Sequence, residues 1–114
     1  MKRTYHRELS ADRWRALSFY DQMANIGSEV FRAMSWRPKN AEYSRLALER
    51  ALELLDLTLE TSAGSPPRLK ELTRLREVLA DYFFFDNAYG SDDARWRSYF
   101  NAFNHAARNP LAKV

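Results

Sequence analysis

The 114-residue chain contains no cysteine. That excludes disulfides, thiolate catalysis and cysteine-based zinc sites, and it fits a reducing compartment. Histidine is almost as scarce, with only His6 and His105. Neither has a Glu three residues before it, so the Glu-x-x-His pairs of a ferritin-like di-metal site are missing. The three glycines are scattered and form no phosphate-cradling loop. No apolar run approaches the roughly 20 residues that span a membrane. The basic start, MKRTYHREL, is followed by no hydrophobic region and so does not read as a secretory signal. No alternating strand pattern, internal repeat or low-complexity tract appears. These absences lead us to expect a cytoplasmic protein with no membrane partner, no metal and no cofactor.

What is present is enough to build a core. Apolar residues make up 46% and aromatics 14%, which rules out disorder. The length suits one domain over 1–114, with a polar lead-in at 1–9 and a short tail at 109–114. The net charge is only +3. Lys2, Arg3, Arg7, Arg13 and Arg15 crowd the start, whereas Glu42, Glu49, Glu53, Asp56 and Glu60 line the middle.

Four helices are expected. Ser10 is a good N-cap, with Leu9 and Trp14 placed for a hydrophobic staple. The first helix should run from Ala11 to about Trp36, with Leu17, Tyr20, Ala24, Gly27, Phe31 and Met34 on one face. Gly27 in its middle costs about 1 kcal/mol relative to Ala. A close approach by another helix backbone would compensate. Asp21, Asn25, Ser28 and Arg32 form a polar ribbon opposite, either functional or merely solvated. Pro38 breaks the chain, and Asn40 caps a second helix over Ala41 to about Thr61. Gly64-Ser65-Pro66-Pro67 stops the chain and restarts it. A third helix follows until Gly90, and Ser91-Asp92-Asp93 caps a fourth that ends near Arg108. Short connections between four helices predict an all-α, up-down-up-down four-helix bundle.

The stretch Leu69–Gly90 is the most apolar and reads as the organising helix. Leu72, Leu75, Leu79, Tyr82 and Phe83 share a face. On the same wheel Arg76 and Asp86 point inward and Asp81 outward. Arg76 and Asp86 are ten residues, or about 15 Å, apart along the axis. Each therefore needs its own partner, because an unpaired buried charge costs several kcal/mol. Leu46, Leu57, Phe84 and Phe85 fall outside the main faces and are candidates for an interface.

Catalytic patterns are weak. Glu53-Leu-Leu-Asp56 imitates half of a magnesium-binding acidic motif, but the first helix offers no matching pair. RSYFNAFNHAAR (Arg97 to Arg108) resembles the motif helix of HEPN-type ribonucleases. Those are four-helix bundles in which an Arg and a His four to six residues apart meet at a dimer interface. The resemblance would make Arg97 and His105 catalytic. Here seven residues separate them, and they lie roughly 80° apart on the wheel. More broadly, NIGSEV (Asn25 to Val30), ALELLDLT (Ala51 to Thr58), RLREVL (Arg74 to Leu79) and DNAYGS (Asp86 to Ser91) resemble an uncharacterised family of small prokaryotic helical-bundle proteins. That family implies the fold and no activity.

The expected function is a non-enzymatic interaction module that self-associates or takes a helical protein partner. An HEPN-like ribonuclease or RNA-binding protein is the alternative. The basic lead-in and Arg-bearing last helix could contact phosphates. The small net charge, the acidic second helix and aromatics that follow core periodicity argue against it.

Overall fold

A computed structural model describes residues 11–109, and they form five helices rather than the expected four-helix bundle. We label them α1 (11–16), α2 (Phe19–Trp36), α3 (Ala41–Thr61), α4 (Pro66–Phe84) and α5 (Asp93–Arg108). The lead-in 1–9, the Ser10 cap, the Leu9 staple and residues 110–114 of the tail lie outside the described residues.

The extra helix arises from a break at Leu17-Ser18. Ser18 adopts an extended conformation, and its hydroxyl accepts a hydrogen bond from the Asp21 amide at 3.1 Å, which starts α2 afresh. Behind the break, the Leu17 amide donates to the Trp14 carbonyl at 3.1 Å. The buried Gln22 side chain donates to that same carbonyl at 2.8 Å. The loose end of α1 is thus satisfied by a side chain of α2. Trp14 itself is buried, and its indole N–H donates to the Thr58 hydroxyl of α3 at 2.8 Å. The apolar stripe runs through the break without interruption, so periodicity alone reads one helix where there are two.

The centre of the molecule is α2, which packs on both α3 and α5, while α4 packs chiefly on α3. Met23, Ile26, Val30 and Ala33 of α2 are fully buried. They meet Leu48, Ala51 and Leu55 of α3, Leu72 and Leu79 of α4, and Phe100 of α5 in one apolar cluster. Neighbouring long helices run in opposite directions. The Ser44 hydroxyl donates to the Ala33 carbonyl at 2.7 Å, tying the start of α3 to the end of α2. Farther along, Arg50 reaches Glu29 at 3.3 Å. Between α4 and α5, Tyr82 reaches Asp93 and Tyr99 reaches Glu71.

The close approach at Gly27 is made by a side chain and not by the expected helix backbone. A Cβ placed there would lie 2.8 Å from the Cβ of Phe100. Phe100 is fully buried and packs on Phe31 and Trp96.

The reading of buried polar groups needs correction. Arg76 does find a partner, Asp56 of α3, with Nε to Oδ1 at 2.9 Å. Both side chains remain about two-fifths exposed, at 42% and 38%, so the pair sits at the core edge. Asp86 is exposed. Helix α4 stops at Phe84, and Asp86 lies in the loop beyond, where the helical wheel no longer applies. Asp81, expected to be solvated, anchors that loop by accepting from the amides of Ala88 at 2.9 Å and Tyr89 at 3.1 Å. The same loop puts Asn87 in the left-handed region at φ 53° and pairs it reciprocally with Ser91. The DNAYGS string is therefore a built loop. No helix among the described residues is long and apolar enough to cross a membrane.

Candidate functional site

The candidate site is the end of the molecule where α2 stops, α3 starts and α4 stops. Among the described residues, five of the seven exposed large apolar side chains stand there: Trp36, Tyr43, Leu46, Phe84 and Phe85. Soluble surfaces scatter such residues singly, so their concentration at one end is informative. Helix signals explain the placement. The turn Arg37–Asn40 brings Trp36 against Tyr43, with ring centroids 4.8 Å apart and edge to face. The Asn40 carboxamide oxygen caps α3 by accepting from the amides of Glu42 and Tyr43.

The apolar residues form two groups. Leu46 is roughly 60° from Tyr43 on the α3 wheel and so extends the Trp36–Tyr43 group. Phe84 lies on the other side of α3, walling a depression with Ala41, Arg45 and Leu48. Between them runs a charged ridge in which Arg45 bridges Glu42 and Glu49. Phe85 is the most exposed of all at 73%.

Leu57, expected at the interface, is not available to one. It is only 5% exposed, on the part of α3 whose Thr58 receives Trp14. It belongs to the same buried cluster as Trp14, although the α3 wheel places it outside the main face. Leu46, Phe84 and Phe85 are exposed.

A second feature opens at the same end. A cleft of about 500 Å³ lies between the α2–α3 turn and the facing ends of α4 and α5. Arg37 and Arg97 line it, together with Tyr82, Asp93, Met34 and Pro38. The Arg37 guanidinium lies 4.8 Å from the Tyr82 ring centre and 4.9 Å from that of Phe83, and it donates to the Tyr82 carbonyl at 3.0 Å. The Tyr82 hydroxyl donates to Asp93 at 2.6 Å. Burial raises the Tyr82 phenol above its ordinary value, and the Asp93 hydrogen bond adds to that. The Arg97 side chain has no hydrogen bond or ion pair among the described residues. Sequence reading missed Arg37 and Tyr82 as site residues. The only signal was an Arg wedged between Trp36 and Pro38 just before a helix cap.

His105 is exposed, and it lies eight residues beyond Arg97 on α5, about 12 Å along the axis. Within one chain the two are not brought together. The polar ribbon is consumed locally. Asn25 donates to the Asp21 carbonyl, Ser28 to the Ala24 carbonyl, and Arg32 pairs with Glu29. Among the described residues no three His, Asp or Glu side chains gather as a metal would require.

Comparison with protein-family models, with curated proteins and with solved structures yields no match to this chain. The HEPN resemblance of the Arg97–Arg108 stretch thus has no support from relatives. What stands is a small all-helical chain.

Proposed function

We propose that the protein is a non-enzymatic interaction module that self-associates through the end bearing Trp36, Tyr43, Leu46, Phe84 and Phe85. The observation that carries this reading is the concentration of exposed apolar side chains there. Leaving them in water forfeits about 25 cal/mol for each Å² that an interface would cover.

A second copy is the partner that best suits the arrangement. Two apolar groups flank one charged ridge. In a twofold dimer, the Trp36–Tyr43–Leu46 group of one protomer covers the Phe84–Phe85 group of its partner, and the symmetry repeats the contact. Aromatic residues are also the side chains most enriched in protein interfaces.

The test is sedimentation equilibrium of the wild type beside a Phe84→Ser/Phe85→Ser variant. Both residues are exposed, so the variant keeps its core. Weakened association in the variant supports the reading. Unchanged association places the contact elsewhere.

A further inference from the structure

We propose that the cleft between Arg37 and Arg97 binds a small organic phosphate, as the monoester dianion, at a site separate from the apolar dimer contact.

Charge carries the first step. The cleft presents two guanidinium groups and one carboxylate, and neither guanidinium has an acidic partner among the described residues. Arg37 is held in place by the Tyr82 carbonyl and by two rings. One of its five N–H donors is used and the rest remain. Arg97 gives none of its own to the described residues. Planar guanidinium donors match phosphate and carboxylate oxygens in pairs.

The number of acceptor oxygens separates those two anions. The Asp93 carboxylate accepts the Tyr82 hydroxyl and lines the same cleft, which keeps a net positive charge from the two arginines. A monocarboxylate has two oxygens and pairs with one guanidinium at a time. A phosphate monoester offers three acceptor oxygens and engages both.

Size and lining supply the organic part. A volume of about 500 Å³ falls within the range of small-molecule sites and far exceeds a bare phosphate. Met34, Pro38 and the Tyr82 ring give an apolar wall for the group that carries the phosphate.

The experiment titrates the ¹⁵N-labelled protein with phenyl phosphate, adenosine monophosphate, inorganic phosphate and benzoate. The arginine Nε–H signals report the site. Saturable shifts of Arg37 and Arg97 with phenyl phosphate are expected, with benzoate weaker by roughly tenfold. Arg97→Gln should weaken phenyl phosphate by roughly tenfold, whereas Arg108→Gln, which removes an exposed charge elsewhere on α5, should not. Arg97 has no side-chain partner among the described residues, so its loss leaves the fold intact. Equal binding of benzoate would overturn the proposal, as would an equal effect of the two arginine substitutions or the absence of saturable shifts. Stronger binding of the nucleotide would mark a nucleotide source for the phosphate, and equal binding of both esters any aryl or sugar phosphate. Either result supports the class.

Discussion

Gly27 of α2 and Phe100 of α5 touch so closely that a single added carbon would collide. A Cβ on Gly27 would stand 2.8 Å from Phe100 Cβ and 2.9 Å from two of its ring carbons. Phe100 cannot retreat, because Phe31 and Trp96 hold its ring. Gly27→Ala gains about 1 kcal/mol of helix propensity. Overpacking costs about 1–3 kcal/mol and should win. We expect a net loss of stability in denaturant unfolding. In a Phe100→Ala background the two ring contacts are gone and the remaining Cβ can shift into the space they leave, so the same substitution should cost less. A loss that persists unchanged in that background would rule out the clash as its cause.

The joint between α1 and α3 gives a second prediction. Trp14 donates its indole N–H to the Thr58 hydroxyl inside the core. Thr58→Val keeps the shape but strands that donor, at about 1–3 kcal/mol. Thr58→Ser keeps the acceptor and should cost less. If the two variants unfold at the same denaturant concentration, the hydrogen bond contributes little.

Arg76 and Asp56 lead to a third. A fully buried pair would lose about 3–5 kcal/mol on Arg76→Met. The observed pair is about two-fifths exposed, and exposed pairs contribute about 0–1 kcal/mol. We expect a shift in stability within that lower range. A loss of several kcal/mol would mean that the pair is sealed from water.

Much of this architecture can be read from residues, and the failures have physical causes. Helices α3 and α5 are legible because Asn40 and Asp92 cap them in sequence and in fact. The α1–α2 break is not, since Leu17 and Phe19 continue the stripe and only the Ser18–Asp21 cap betrays it. Asp86 is misread because Phe84 and Phe85 extend the apolar pattern past the end of α4. Leu57 is misread because the α3 wheel does not show that tertiary packing brings it into the buried cluster. In the candidate site, Phe85 lies just past the end of α4, whereas the exposure of Leu46 and Phe84 follows from the wheel. The Arg37–Arg97 cleft does not, since its walls come from the α2–α3 turn and two further helices.

Alkaline pH gives a fourth prediction. Burial raises the Tyr99 phenol well above its ordinary value, and the Glu71 carboxylate raises it further. Burial and the Asp93 hydrogen bond raise Tyr82 in the same direction. A phenol raised on folding stabilises the folded state fully below the unfolded value of about 10. That stability is lost as the pH rises from there toward the folded value. The melting temperature should therefore fall above about pH 10. A Tyr82→Phe/Tyr99→Phe variant should show a shallower fall. Parallel curves for the variant and the wild type would contradict the assignment.

Self-association through the apolar end is tested most directly by the mass of the untouched protein in solution. Multi-angle light scattering across a concentration series reads it without any substitution. We expect the mass to rise with concentration toward twice the 13.4 kDa of the chain and to stop there, as a closed twofold contact requires. A mass that stays at that of one chain up to high micromolar concentration would contradict it.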